Sequence, residues 1–370
     1  MKIAEFIVSL EDGGAETLVK DYSILLSKKG HNICIITKYP SFSSSNYNIV
    51  KENKDIKYYS IYPQKNIVFR SINRLFGQII APLRLLYILK KEKIKVLHIH
   101  MELLKIVKPI WRYLKNIKLF YTCHNYPDYY FSGSNRKEYD CAKWLIEHNN
   151  LRLIALHNQM KRELDNMFLI NNTLLVRNGV DADRFIKVLK EGSELRRNYN
   201  IPQNAFVVGH VGRFSNQKNH DFLVDVFNVI KKTNRDAFLL MVGSGKLRDL
   251  TEKKIASYGL EDSYLILEHR SDIPEIMKCM DVFVFPSIFE GFPLTLVEAQ
   301  FSGLRCIVSN EINEEVILSK DTIPLSIYET PEKWATVVLS EIENDSYYDN
   351  LVEYNINNII SYLEMIYMEQ

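Results

Sequence analysis

The feature that most limits how this chain can fold is a recurring alternation. Short apolar runs are each followed by a turn and then by a segment with helical period. Residues 2–8 (KIAEFIV) are apolar but for Lys2 and Glu5, the pattern of a buried parallel strand. Gly13-Gly14 turns the chain. AETLVKDYSILLSKKG then sets Leu18, Val19, Tyr22, Leu25 and Leu26 on one helical face and stops at Gly30. A second strand, NICIIT, covers 32–37. Two parallel strands joined by a helix make a right-handed βαβ unit. Further strands are predicted at 95–100, 118–123, 151–156 and 173–177, with a helix at about 136–148.

The turn-rich RNGVDADRF (177–185) and the polar KEGSELRRNYNIPQN, which has no apolar period, mark a boundary. A second run places strands at 205–212, 237–243, 264–268, 281–287 and 305–309. Helices at 219–232, 247–258, 273–279 and from about 293 alternate with them. The expectation is an α/β fold of two doubly wound domains, 1–180 and 181–346, facing each other across a cleft. A terminal helix, about 347–370, is available to pack back on the first domain. No repeat with a longer period is visible.

With 370 residues, 46% of them hydrophobic and 25% charged, the chain can build its own core and is neither disordered nor collagenous. Cys34, Cys123, Cys141, Cys279 and Cys306 lie far apart without a CxxC, as expected of free thiols in a reducing compartment rather than a zinc site. The opening MKIAEFIVSLEDGG does not read as a secretory leader, and no apolar run is long enough to span a bilayer. A cytoplasmic protein is expected. Charge is unevenly placed. Residues 1–180 hold 28 Lys and Arg against 15 Asp and Glu, a net of +13, and the remainder carries a net of −11. A basic first half suits an anionic partner such as a lipid surface or a diphosphate. Segment 63–95 concentrates eight Lys and Arg among apolar residues, including Arg70, Arg74, Arg84, Lys90, Lys91, Lys93 and Lys95. It reads either as a membrane-surface element or as an ordinary helix with a solvated basic face.

Residues suited to chemistry collect where strands end, which is where open parallel sheets bind ligands. Arg213 and Lys218, in GRFSNQKNH, precede a helix. Two cations beside a helix N-terminus suit a diphosphate, although a surface pair capping a turn has the same pattern. Gly13-Gly14 opens a helix whose free N–H groups could meet a phosphate, or is a plain βα turn. His124 follows a strand as a candidate general base or a structural histidine. Glu290 and Glu298 stand with seven residues between them in FEGFPLTLVEAQFSG, and a carboxylate can accept both hydrogen bonds of a sugar diol. Asp181-Ala182-Asp183 reads as a turn and helix cap rather than a metal-nucleotide motif. Gly243-Ser244-Gly245 lacks the third glycine of the dinucleotide fingerprint.

Seven motifs in this order are similar to the retaining GT-B glycosyltransferases of family 4, which build bacterial capsule, exopolysaccharide and lipopolysaccharide chains. They are GGAE at 13–16, His124, NGVD at 178–181, GRFSNQKNH at 212–220, VGSG at 242–245, HRSDIPE at 269–275 and PSIFEGFPLTLVEAQFSG at 286–303. The resemblance implies two Rossmann-like domains and transfer of a sugar from a nucleotide-sugar, a UDP-sugar by expectation, to a polyprenyl-diphosphate-linked glycan at the inner face of the plasma membrane. It implies that Arg213 and Lys218 hold the donor diphosphate and that Glu298 binds the ribose. Glu290 would lie beside the donor sugar. Backbone N–H groups of Gly291, Phe292, Leu294 and Thr295 would serve sugar and phosphates, with Pro293 removing one donor where the family often has a small residue. Arg270 would line the base, Gly243 would belong to the phosphate loop, and Gly13 and Gly14 would approach the diphosphate from the opposite domain. His124 would sit near the acceptor or the donor hydroxyls. No metal, cofactor or nucleic acid is expected, because the two cations can stabilise the leaving diphosphate. Domain closure would exclude water. Two other readings remain open: an NAD-dependent oxidoreductase, and a non-catalytic partner that binds nucleotide-sugars.

Overall fold

The computed structural model describes residues 1–11, 13–42, 44–62, 67–268, 270–340 and 351–369, with side chains throughout except at 67–78, 134, 351 and 352. The chain divides into two units: residues 1–179 with 357–370, and residues 180–356.

The first unit is built on a seven-stranded parallel sheet of order β3-β2-β1-β4-β5-β6-β7. Its strands are β1 Lys2–Ile7, β2 Asn32–Thr37, β3 Ile56–Ser60, β4 Val96–His100, β5 Lys118–Thr122, β6 Arg152–Ala155 and β7 Leu174–Leu175. The second unit has a six-stranded parallel sheet of order β10-β9-β8-β11-β12-β13. Its strands are β8 Phe206–Val211, β9 Ala237–Val242, β10 Tyr264–Leu267, β11 Val282–Phe285, β12 Arg305–Ser309 and β13 Thr322–Leu325. Both are Rossmann-like. The strand order reverses between β1 and β4 in one and between β8 and β11 in the other, and at such a reversal the loops diverge and leave room for a ligand.

The central strands are buried on both faces, which explains their continuous apolar runs. Helices cover them. Leu223, Val224, Phe227 and Ile230 of helix His220–Thr233 pack with Trp334 and the β9 and β11 side chains in the core of the second unit. The terminal helix Ile356–Met368 belongs to the first unit, where Ile360, Leu363 and Tyr367 are buried. It starts later than its apolar spacing predicts, and the first residues of the predicted span, 347–350, lie outside the described residues.

Three local expectations need correction. The polar segment after residue 186 is not featureless. It holds helix Gly192–Asn198, which buries Leu195, while Arg196 donates to the carbonyls of Cys279, Gln203 and Ala205 and pairs with Asp281 at 2.7 Å. Charge and hydrogen bonds, rather than an apolar stripe, attach it to the second unit. Asp181 does precede a short helix, Ala182–Ile186, but its side chain makes no capping bond. Edge strands β3 and β13 and helices Ser45–Glu52 and Pro331–Leu339 go unread in the sequence.

Candidate functional site

In the second unit the loops after β8 and β11 carry the residues of interest. After Val211, Gly212 and Arg213 lead into a short turn, Asn216–Lys218. Asn219, at φ 56°, then redirects the chain into helix His220–Thr233. The β11 loop runs from Pro286 to Pro293 and opens helix Leu294–Phe301. The two loops are stitched together. The Ile288 N–H donates to the Gln217 carbonyl at 2.8 Å, and Gln217 Nε2 donates to the Phe289 carbonyl at 3.0 Å and to Glu290 Oε2 at 3.2 Å. Lys218 Nζ donates to Glu290 Oε1 at 2.7 Å and lies 4.4 Å from the centre of the Phe285 ring. Both members of this pair are largely buried.

The glycines after β9 serve close approach. Gly243 has φ 149° and Gly245 φ 152°, which glycine adopts most readily. A Cβ at Gly243 would stand 2.1 Å from the Gly212 carbonyl oxygen, and one at Gly245 would stand 2.4 Å from that of Phe214. The β9 loop is thereby pressed against the β8 loop, with the Phe214 N–H donating to the Ser244 carbonyl at 2.9 Å. Arg213 projects from this joined platform. It is exposed, and no hydrogen bond or ion pair holds it among the described residues. Ser287 Oγ and Thr295 Oγ1 are buried hydroxyls without a hydrogen-bond partner among the described residues. Buried hydroxyls rarely stay unpaired, so two of them beside the switch point mark a place where a polar ligand fits.

In the first unit, Gly13 is the extended N-cap of helix Gly14–Lys28, which has no side-chain cap, and Glu16 puts a carboxylate in its first turn. His124 follows β5 and is half-buried. Its Nε2 meets His100 Nδ1 at 2.8 Å, and His100 Nε2 meets Glu5 Oε2 at 2.8 Å. A groove of about 470 Å³ lies at the same edge of this sheet, past the carboxyl ends of β2, β3 and β4. Its lining includes Lys38, Tyr62, Glu102, Lys105, Lys108 and Lys137.

Two family models divide the chain. "Glycosyltransferase Family 4" matches residues 12–184 and "Glycosyl transferases group 1" matches 192–358. The chain belongs to the GT-B glycosyltransferases of family 4. It is 34% identical over 233 residues to the UDP-Gal:alpha-D-GlcNAc-diphosphoundecaprenol alpha-1,3-galactosyltransferase of Escherichia coli, covering 60% of this chain and 59% of that enzyme. It is 24% identical over 307 residues to the Staphylococcus aureus capsular polysaccharide glycosyltransferase CapH, covering 78% and 81%. The alignment to the E. coli enzyme therefore spans less than two thirds of its length. In fold, the chain is similar to Anabaena HepE in complex with UDP and glucose, with a TM-score of 0.75 at 17% identity over 99% of this chain and 94% of that one.

This glycosyltransferase brings some sequence-predicted residues together and keeps others apart. Lys218 and Glu290 are direct partners, which spacing alone does not reveal. Arg213 stands on the platform with no partner among the described residues. Glu298 lies in the second turn of helix Leu294–Phe301 and is partly buried, and Gly291, Phe292 and Pro293 are buried in the loop before it. Arg270 is engaged by Asp272, at 2.7 Å through Nε and again through Nη2, and stacks 5.6 Å from the Tyr199 ring. His269, in the same motif, lies outside the described residues. Sequence reasoning missed the two histidines beneath the platform. His210 Nδ1 bonds the Val284 carbonyl at 2.9 Å, and His220 stacks on Phe214 with ring centres 4.2 Å apart. Burial lowers the His210 pKa to about 4 and that of His220 to about 2, so both are neutral under Lys218. Their signal was the histidine at each end of HVGRFSNQKNH. Glu5, His98, His100 and Tyr367 were missed too, although Glu5 is the one acidic residue of its strand, with apolar neighbours on both sides.

Proposed function

We propose that this chain transfers a sugar from a UDP-sugar to a lipid-linked glycan, with retention of anomeric configuration and without a divalent metal. The observation that carries this reading is the switch point of the second unit. There Arg213 and the hydroxyls of Ser287 and Thr295, none with a partner among the described residues, meet the Lys218–Glu290 pair on the loops after adjacent strands and at the start of helix Leu294–Phe301. In this reading Arg213 and Lys218 take the charge that grows on the departing nucleoside diphosphate, which is the work a metal would otherwise do. Glu298 accepts from the ribose hydroxyls. Glu290, fixed by Lys218 and Gln217, faces the transferred sugar, and the Gly291–Thr295 backbone supplies further donors. Arg270 borders the base. In the first unit, Gly13 and Gly14 offer backbone N–H groups suited to a phosphate, and His124 offers a ring nitrogen to a sugar hydroxyl. Attack on the same face as departure, through an oxocarbenium-like state, accounts for retention without a carboxylate nucleophile.

UDP as the nucleotide is supported by the HepE complex and by the donor in the E. coli relative's name, and the lipid diphosphate acceptor by that same name. The lysine-lined groove of the first unit suits the acceptor diphosphate. Among the described residues no helix is long and apolar enough to cross a membrane.

Calorimetric titration with UDP, GDP and ADP, and then with their sugars, tests the donor half. Selective UDP binding is expected. Preference for GDP or ADP would replace the nucleotide, and no binding of any would sink the reading. Transfer should persist in EDTA. Activity lost there and restored by magnesium or manganese would overturn metal independence. Proton NMR of the first product formed should show the donor's anomeric configuration, and an inverted product would remove retention.

A further inference from the structure

We propose that Glu5, acting through His100, sets whether the outward nitrogen of His124 donates or accepts a hydrogen bond, making Glu5 a positioning residue and proton store for the transfer site. This rests on His124 contacting a sugar hydroxyl, as read above.

The line is continuous. Glu5 Oε2 and His100 Nε2 are 2.8 Å apart, as are His100 Nδ1 and His124 Nε2. Glu5, His98 and His100 are buried, whereas His124 is only half-buried. His124 Nδ1 has no protein partner among the described residues and is the open end of the line. The other groups around Glu5 are likewise uncharged. Tyr367 of the terminal helix bonds Glu5 Oε1 at 3.4 Å and His98 Nδ1 at 2.5 Å, and His98 Nε2 bonds Thr122 Oγ1 at 2.6 Å. Tyr22 of helix Gly14–Lys28 is the remaining titratable neighbour. No lysine or arginine among the described residues pairs with Glu5.

A neutral imidazole carries one N–H, so each histidine must donate on one side and accept on the other. With Glu5 protonated, its O–H donates to His100 Nε2. His100 Nδ1–H then donates to His124 Nε2, and His124 Nδ1–H donates outward. With Glu5 ionised, every donor reverses: His100 Nε2–H points to the carboxylate, His124 Nε2–H points to His100, and His124 Nδ1 accepts. A proton arriving at His124 Nδ1 from a hydroxyl or solvent moves the Nε2–H on to His100 Nδ1. The His100 Nε2–H then passes to the Glu5 carboxylate. One proton enters, one is stored, and no charged imidazole persists. Burial keeps the histidines neutral, with His100 lowered to about 3, and raises Glu5 to about 8, so both settings are reached near physiological pH. Glu5, His98 and His100 also bring three ligand-type atoms within 4.8 Å of one another, but each of these atoms is used in the hydrogen bonds given.

The test is the imidazole ¹⁵N spectrum of histidine-labelled protein from neutral to alkaline pH, with His124 assigned by the signal lost in His124→Gln. His124 should pass from the Nδ1–H to the Nε2–H tautomer with a midpoint near 8. Glu5→Gln, of the same shape but unable to titrate, should abolish the passage and remove the matching inflection from the pH profile of kcat while leaving donor KM unchanged. A tautomer constant with pH in the unaltered protein, or a change that survives Glu5→Gln, overturns the proposal, as does stoichiometric metal found by elemental analysis. The spectrum needs no turnover. A tautomer change without sugar transfer at any pH would therefore sink the functional reading and leave the relay standing.

Discussion

Lys218 and Arg213 are both cations of one loop, yet their surroundings give them different work. Lys218 is already met by Glu290 at 2.7 Å, while Arg213 is exposed and has no protein partner among the described residues. An unpaired guanidinium can swing onto a diphosphate without first breaking a contact. Arg213→Ala should therefore cost about 2–4 kcal/mol of transition-state stabilisation and leave the fold intact. Steady-state kinetics beside thermal melting checks both halves, and a lowered melting temperature with unchanged kcat/KM would contradict it. Lys218→Met should instead strand a buried carboxylate and destabilise the unit by about 3–5 kcal/mol. Adding Glu290→Gln should recover part of that loss in urea denaturation, and strictly additive effects would mean the pair is not coupled. The two glutamates divide by position. Glu298→Gln should weaken binding of free nucleoside diphosphate, whereas Glu290→Gln should mainly lower turnover. Equal affinity losses in calorimetry would refute that division.

Elements were legible where burial left a plain mark. β9 is continuously apolar, and β2 is apolar from Ile33 to Ile36, because both faces are covered, so their runs stand out. β3 reads IKYYS and β13 reads TIPL, both half-exposed at sheet edges. An edge strand tolerates tyrosines, charge and even Pro324, and so loses the pattern. Of the site, residue identities were legible from motifs but pairings were not. Glu5 and His100 lie 95 residues apart and His98 and Tyr367 lie 269 apart, and only strand order and the returning terminal helix bring them together. The basic segment was half legible. Arg84 is not a surface charge, because it donates to the Ile61 carbonyl at 2.6 Å, and the side chains of Arg70 and Arg74 lie outside the described residues. What remains is a different pattern on helix Ile67–Glu92. Ile79, Leu83 and Tyr87, spaced four apart, are 62%, 57% and 64% exposed, followed by exposed Lys90, Lys91, Lys93 and Lys95. Apolar side chains backed by lysines suit an anionic bilayer surface, where each lysine contributes about 1 kcal/mol. The chain should co-sediment with anionic but not neutral vesicles and be released by salt. Leu83→Asp with Tyr87→Asp should reduce binding further at a given salt. Binding indifferent to lipid charge, salt and this pair would favour an acceptor free in solution.

Across the whole molecule, the two units respond differently to pH because they bury different ionisable groups. The first holds His98, His100 and His124, all lowered by burial, together with Glu5, raised to about 8, and Glu138, also raised by burial. The second holds His210 and His220, lowered to about 4 and about 2, and no buried carboxyl raised in this way among the described residues. A histidine with a depressed pKa stays unprotonated in the native state while the unfolded chain takes up a proton below about 6.5, so stability rises with pH up to that point. A carboxyl with a raised pKa does the opposite. The native state keeps a proton that the unfolded chain has released above about 4.3, and stability falls until the native group also ionises. Between these limits each such proton changes stability by up to about 1.4 kcal/mol per pH unit. In the first unit three histidines outweigh Glu5 on the acid side. Above about 6.5 their contribution is complete and the raised carboxyls act unopposed, so the curve turns down, with Glu5 carrying the decline until it titrates near 8. The second unit should rise to a plateau that lasts until unfolded cysteines ionise, above about 8, where buried Cys279 and Cys306 hold their protons. Urea denaturation at a series of pH values from about 4 to about 8, followed by probes specific to each unit, should show a maximum near neutrality for the first and none for the second. Glu5→Gln should flatten the alkaline limb of the first unit and leave the second untouched. A decline of equal size in both units, or one that persists in Glu5→Gln, would show that the buried carboxyl is not what turns the curve.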